Sequence, residues 1–311
     1  MPKGATLGST RTGRSDTLRL SVMTLKQSLR DLVALSKPGI VIMCLVEAAG
    51  GLWLAPATAP LRIWLWTFLG LSLVVASSNA WNMIWERESD RHMERTRNRP
   101  LPSGRMQTST AIAFAIVTGI ASLWVFDSQV NRLSAWLALA SMVSYVLVYT
   151  PLKRVTSWSL PIGAIPGAMP PLIGWAAAAG NIGAPGVVLF AILFLWQIPH
   201  FLAISLYRRD DYQAAGIVIV PVVMGEETTK VQALASSLLL VPVSLLLVPM
   251  QVAGFFYFVV ASVAGGAFFV LSMRGFEPHP TNAWARRFFL ASLLYLPALT
   301  VALILDAWVP R

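Results

Sequence analysis

Residues 62–84 read RIWLWTFLGLSLVVASSNAWNMI and contain one charged side chain, Arg62. A helix of this length crosses the roughly 30 Å hydrocarbon core of a bilayer. The run lacks the alternation of apolar and polar residues that membrane β-strands show. The segment therefore predicts a transmembrane helix.

Eight further segments of the chain are apolar over a similar length. The nine predicted spans cover residues 36–54, 62–84, 109–127, 133–150, 158–179, 187–206, 231–250, 252–273 and 287–308. Of all residues, 56% are apolar and 12% are charged, which is about half the charged fraction of a soluble domain. We therefore predict an all-α, polytopic membrane protein, with a flexible tail over residues 1–30 and a single membrane domain over residues 31–311. A mitochondrial transit segment is the alternative for the tail.

Basic residues predict the orientation of the spans, because Lys and Arg accumulate in cytoplasmic loops. Of the 24 basic residues, seven precede or open span one and fourteen follow spans two, four, six and eight. Only Arg62, Arg132 and Arg311 lie on the other side. The N-terminus is thus predicted to be cytoplasmic and the C-terminus to lie on the far side. No nucleic-acid partner is predicted, because the sequence contains no recognisable basic module for one.

Acidic residues concentrate in two loops, which follow spans two and six and hold eight of the fourteen acids. In the first loop, Asn82, Glu86 and Asp90 stand four residues apart, so a helix would place them on one face. Two carboxylates and an amide, with no Cys or His among them, favour Mg²⁺ over Zn²⁺. Mg²⁺ usually completes its coordination with water and substrate phosphates, so a phosphate-bearing substrate is expected.

Arginines follow these acids closely, at Arg95, Arg97 and Arg99. A guanidinium group binds phosphate oxygens in pairs. The combination predicts a site for a diphosphate. For the arginines alone, an ordinary solvated loop is the alternative.

The second loop pairs Tyr207 with Asp211, again four residues apart. If spans two and six pack face to face, Asp211 could hold a second Mg²⁺ against the same diphosphate. Within span six, Gln197 and His200 are polar residues at membrane depth, where such groups face a cavity or a partner helix. Contact with an acceptor substrate and a hydrogen bond to a neighbouring helix both fit them.

The segment 82–104 and the segment from Trp196 through Asp211 to Val223 resemble the intramembrane prenyltransferases of the UbiA type, and within them the heme-directed branch. Lys37–Pro38 and residues 149–154 are similar to the same family. The resemblance extends over essentially all nine spans. It implies a helical bundle around a central cavity, with Asn82, Glu86, Asp90 and Asp211 as catalytic ligands of Mg²⁺.

The resemblance further implies transfer of a farnesyl group from farnesyl diphosphate to a vinyl group of heme B, giving heme O. The candidate diphosphate ligands are Arg95, Arg97, Arg99 and Lys153, and the candidate heme contacts are His200, Gln197 and Tyr207. The implied setting is a bacterial inner membrane, with the lipid bilayer and a downstream heme A synthase as partners and a mitochondrial inner membrane as the alternative.

Two other functions are weighed against this one. Prenylation of an aromatic acid in quinone biosynthesis shares the chemistry, whereas a transporter or lipid-binding protein would release no diphosphate.

Two features of the spans stay open. Span five is so rich in Pro and Gly that we expect irregular backbone there, although Gly163 and Gly167 also suit close helix packing. Glu47, an acid well inside span one, fits both a functional and a structural role.

Overall fold

A computed structural model describes residues 26–56, 58–94, 96–214, 216–277 and 282–306. Within these ranges the chain is helical and contains no β-strand. Residues 1–25 of the predicted tail lie outside the described ranges, and residues 26–30 already belong to the first helix. The division into a tail and a membrane domain stays a prediction.

Fourteen helices are described and are numbered in chain order. They are α1 Lys26–Ser36, α2 Pro38–Leu54, α3 Leu61–Trp85, α4 Arg87–Asp90, α5 Thr108–Val125, α6 Arg132–Val143, α7 Thr150–Leu152, α8 Ser159–Ala179, α9 Ala184–Tyr207, α10 Arg209–Ala214, α11 Val220–Val223, α12 Gly225–Leu245, α13 Phe255–Met273 and α14 Asn282–Asp306. Short π-helical segments, Phe126–Val130 and Ser144–Tyr149, extend α5 and connect α6 to α7.

Eight helical segments in the described part of the chain are long and apolar enough to cross a membrane. Helices α1 and α2, bent by 47° at Lys37, complete the predicted nine when they are counted as one broken span. The protein is thus a multi-pass membrane protein with an all-α fold. The seventh span begins earlier than predicted, at Gly225, because α12 carries Glu226 and Glu227 in its first turn, where the helix dipole favours acids.

The expectation of irregular backbone in span five is wrong, because α8 is one helix of 21 residues with three prolines in its interior. Pro170 lacks an N–H, which leaves the Pro166 carbonyl without its usual partner in the helix. The hydroxyl of Ser141 on α6 donates to that carbonyl at 3.3 Å. A neighbouring helix thus satisfies a backbone group that the proline frees.

Glycines allow the helices around α8 to approach closely. A Cβ atom on Gly51 of α2 would overlap the Pro171 carbonyl, and a Cβ atom on Gly174 would overlap the Ala48 carbonyl. Gly163 and Gly167 similarly lie against the ring of Tyr149 and the amide of Gln197. The close-packing interpretation of these two glycines agrees with the structure.

Helix α8 packs against helices from both halves of the sequence. It contacts α2 and α6, which precede it, and α9, which follows it. Helix α3 packs on α5, and α9 packs on α12 and α14. We call the end of the bundle at Lys37, Trp85, Leu152 and Tyr207 the site end and the other end the opposite end.

Candidate active site

Asn82, Glu86 and Asp90 form the ladder that the sequence predicts. The Glu86 N–H donates to the Asn82 carbonyl at 3.0 Å, and the Asp90 N–H donates to the Glu86 carbonyl at 2.8 Å. The i to i+4 pattern therefore continues across the junction between α3 and α4. All three side chains belong to one segment of chain at the site end.

Each of these three side chains is paired with a basic side chain from elsewhere in the chain. Lys37 donates to the Asn82 side-chain oxygen at 2.9 Å, and Arg99 pairs with Asp90 at 2.7 Å. The ammonium of Lys153 forms an ion pair with Glu86. The cluster therefore alternates acceptor oxygens with cationic groups, and Asn82 and Asp90 are buried.

Lys153 sits between Glu86 and an aromatic ring. Its ammonium nitrogen lies 4.7 Å from the centroid of the Tyr149 ring, a cation–π distance. Burial lowers the pKa of Lys153, but Tyr149, Glu86 and Asp90 together outweigh burial and raise this pKa above its ordinary value. Lys153 is therefore protonated at neutral pH and provides a fixed positive charge.

The remaining predicted diphosphate ligands differ in their surroundings. The side chain of Arg97 is exposed and makes no hydrogen bond or ion pair with any residue that the structure describes. Arg95 lies outside the described residues. Of the four candidates, the structure brings Arg99 and Lys153 into the cluster.

The second acidic loop reaches the cluster through its backbone rather than through Asp211. The Val218 N–H donates to the Lys153 carbonyl at 2.9 Å, which joins the segment before α11 to the segment after α7. Asp211 is exposed and pairs with Arg208 at 3.1 Å, and the Arg208 guanidinium lies 5.2 Å from the centroid of the Tyr207 ring. In the described part of the chain no hydrogen bond or ion pair joins Asp211 to Glu86 or Asp90. Its role as a ligand stays a prediction.

Gln197 and His200 face different neighbours of α9. The Gln197 amide donates to the Ala164 carbonyl at 3.2 Å and to the Leu193 carbonyl at 3.1 Å. His200 stacks on Trp196 and has its Nδ1 2.7 Å from the Ser292 hydroxyl on α14. Both side chains are thus engaged by neighbouring helices, and their predicted contact with heme stays untested.

Sequence reasoning missed two members of the cluster, Lys37 and Tyr149. Lys37 is a non-glycine residue with a left-handed backbone, φ 51°, at the break between α1 and α2. No local pattern indicates that it meets Asn82, 45 positions away. Tyr149 and Lys153, in contrast, stand four residues apart, and that spacing is a usable signal.

The donor chemistry of the cluster fits a hard divalent cation. In the described residues, no three His, Cys, Asp or Glu side chains come together as a metal centre. Glu86, Asp90 and the Asn82 amide supply two carboxylates and one neutral oxygen, which suits Mg²⁺ because this ion takes few protein carboxylates. The basic side chains that contact all three groups show that the cluster attracts positive charge.

Comparison with known proteins identifies relatives of this chain. The model of the UbiA prenyltransferase family matches residues 44–293. A protein named protoheme IX farnesyltransferase from Myxococcus xanthus is 45% identical over 281 residues, covering 90% of this chain and 95% of that protein. One of the same name from Anaeromyxobacter sp. is 48% identical over 282 residues, with the same two shares covered.

Solved structures share the fold at low sequence identity. A digeranylgeranylglyceryl phosphate synthase superposes with a TM-score of 0.78 at 19% identity, covering 90% of this chain and 99% of that one. A UbiA homologue from Archaeoglobus fulgidus, bound to GPP and Mg²⁺, superposes with a TM-score of 0.64 at 17% identity, covering 88% and 99%.

Proposed function

The chain belongs to the UbiA prenyltransferase family, and from this premise we propose that it transfers a farnesyl group from farnesyl diphosphate to a vinyl group of heme B, giving heme O and diphosphate. As a member of that family it is a prenyltransferase. The observation that carries the choice of substrates is the identity of 45% and 48%, over nine-tenths of the chain, to proteins named protoheme IX farnesyltransferase.

We propose Asn82, Glu86, Asp90 and Asp211 as the residues that would hold Mg²⁺. The bound ion would neutralise charge on the departing diphosphate. Support comes from the oxygen donors of the cluster and from the relative that was solved with GPP and Mg²⁺. Asp211 rests on the sequence pattern alone, because its side chain pairs with Arg208.

Basic residues would bind the diphosphate itself. Arg99 and Lys153 already lie against Asp90 and Glu86, so both can serve an anion held at the same place. Charge builds up on the leaving oxygens as the allylic C–O bond breaks, and cations positioned there stabilise the transition state more than the ground state. Arg95 and Arg97 complete the proposed set.

The bundle would protect the allylic cation from water until it meets the vinyl carbon. Helices α3 and α8 bury apolar side chains such as Met83, Leu172 and Ile173 inside the bundle. The carbon–carbon bond forms between farnesyl and the vinyl group, and water then adds to the new cation and releases a proton. Tyr207, Gln197 and His200 remain the proposed heme contacts.

We propose a bacterial inner membrane as the location, with the N-terminus and the site end cytoplasmic and the C-terminus periplasmic. The distribution of basic residues supports this orientation. It places the diphosphate cluster where a soluble prenyl diphosphate is supplied. A downstream heme A synthase is the proposed recipient of the product.

Incubation of the purified protein with farnesyl diphosphate, Mg²⁺ and heme B tests the function. The expected result is a prenylated heme in the extracted mass spectrum together with stoichiometric release of diphosphate. A parallel incubation with 4-hydroxybenzoate in place of heme should give no product. Prenylation of the benzoate alone would overturn the choice of acceptor, and the absence of any diphosphate release would overturn the enzymatic proposal.

A further inference from the structure

An apolar chamber of about 370 Å³ lies between α2, α8, α9 and α14, toward the opposite end of the bundle. Its walls include the rings of Trp53, Trp64 and Tyr257, together with Gly50 and Leu303. It adjoins a second hollow of about 640 Å³, with which it shares Trp53 and Leu303. Both volumes fall within the range of ligand pockets.

Among the described residues, Glu47 is the one that brings a carboxyl group to the lining of this chamber. It makes no hydrogen bond or ion pair with any residue in the part of the chain that the structure describes. An ionisable group in apolar surroundings is costly without a partner. A ligand in the chamber that offers a cation or a hydrogen-bond donor would therefore stabilise Glu47.

The chamber opens toward the hydrocarbon of the membrane. Trp53 is 51% exposed and Ile304 is 46% exposed, although both line the chamber, on α2 and α14 respectively. A hydrophobic substrate dissolved in the bilayer could thus enter between these helices. A soluble substrate would need a polar entrance, which these walls do not provide.

The depth of Glu47 fits the geometry of the proposed reaction. Glu47 lies on α2, ten residues after Lys37 at the start of that helix, or about 15 Å along the helix axis. In the function proposed above, the diphosphate binds at the cluster and the reacting vinyl group stands at the edge of the macrocycle. The centre of the macrocycle would then lie deeper in the bundle than the cluster, as Glu47 does.

We propose that this chamber holds the tetrapyrrole and that the Glu47 carboxylate is an oxygen ligand to its iron. The proposal rests on the function proposed above. Aromatic walls suit the flat face of a porphyrin, and the iron of heme has axial positions that a carboxylate can fill by donating an electron pair. No electron is transferred, and a proton on the carboxyl group leaves to water.

Absorption titration of the full-length protein in nanodiscs tests this assignment, with ferric heme and metal-free protoporphyrin IX as probes. Glu47→Gln should weaken heme binding about tenfold and shift the Soret band, because a metal ligand is lost. Its affinity for metal-free protoporphyrin should not change. An unchanged heme spectrum and affinity in Glu47→Gln would overturn the ligand assignment.

Filling the chamber tests its occupant separately. Gly50 lines the chamber, and a Cβ atom there meets no atom within 4 Å, so Gly50→Leu can intrude without a clash at its base. This substitution should weaken the binding of both porphyrins about tenfold or more. It should leave the binding of farnesyl thiodiphosphate with Mg²⁺ unchanged. Gly266→Leu on α13, where a Cβ atom also meets nothing within 4 Å, is the matched control and should bind every probe as wild type does.

The outcomes separate the two proposals. If Gly50→Leu leaves porphyrin binding unchanged, the chamber does not hold the tetrapyrrole. The same conclusion follows if Gly50→Leu weakens the binding of the thiodiphosphate as much as that of the porphyrins. If the wild-type chain forms prenylated heme while Glu47→Gln and Gly50→Leu bind porphyrins as the wild type does, only the assignment of the chamber is wrong. If the wild-type chain binds no heme, the proposed function falls as well.

Discussion

Asp90 is the more buried of the two carboxylates in the cluster, with a side-chain exposure of 6% against 14% for Glu86. Its partner Arg99 is nine positions along the same loop. The Arg99 guanidinium lies 2.7 Å from this carboxylate and offsets the cost of burying its charge. Asp90 is therefore the residue at which the proposed chemistry is most directly tested.

Asp90→Asn retains the size of the side chain and removes its charge. We expect kcat/KM for farnesyl transfer to fall about 100-fold or more, because an interaction made with the leaving group is lost. Turnover is measured as diphosphate release, with thermal unfolding recorded in parallel. Asp127→Asn, in an exposed pair with Arg132 at the opposite end, is the control and should retain full activity. Wild-type turnover in Asp90→Asn would contradict the ligand assignment.

Lys37 combines backbone strain with a buried polar contact. A left-handed conformation costs a residue with a side chain about 1 kcal/mol, and glycine avoids this cost. Lys37→Gly should therefore unfold at the same or a higher temperature, while its turnover falls about tenfold because Asn82 loses its cationic partner. Lys26→Gly, at an exposed helical position, should show the opposite pattern of lower stability and full turnover. Full turnover in Lys37→Gly would show that Lys37 has no part in the site.

At the scale of helices, the crossing of α2 and α8 determines where the walls of the chamber lie. Gly51 and Gly174 let the two backbones meet, and Glu47 lies one turn before Gly51. Larger residues at these positions would separate the helices. Neighbouring Gly50 faces open space, so the two adjacent glycines differ sharply in the room around them.

This contrast gives a matched pair of variants. Gly51→Ala should destabilise the protein by about 1–3 kcal/mol, because its Cβ atom would overlap the Pro171 carbonyl. Gly50→Ala should be neutral or slightly stabilising, because alanine is the better helix former. Thermal unfolding in detergent distinguishes them, and equal stability of the two variants would contradict the close crossing.

For the whole molecule, the nine spans that we propose would put the two termini on opposite sides of the membrane. Alkaline phosphatase fused after Arg311 in a bacterial host should be active, since it would fold in the periplasm. The same reporter inserted after Gly104, in the loop that carries Arg97 and Arg99, should be inactive. An active reporter after Gly104 would reverse the proposed orientation of the site end.

Local pattern accounts for what the sequence predicted correctly. Long apolar runs indicate membrane helices because the bilayer core requires a fixed length of apolar helix, and the spacing of Asn82, Glu86 and Asp90 fixes their shared face through the helical period. The expectation for α8 was wrong because the helix continues through its prolines, and the carbonyl that Pro170 frees accepts from Ser141 on another helix. The start of α12 was missed because its first turn is charged and lies before the apolar run.

The sequence by itself determined the class of fold, the acidic ladder and the family. Only the tertiary structure decided that Lys37, Arg99 and Lys153 neutralise that ladder, that Asp211 instead pairs within its own turn, and that Glu47 faces an apolar chamber. The physical reason is distance along the chain. Helical period and span length act over neighbouring residues, whereas contacts between residues tens of positions apart depend on how the helices cross.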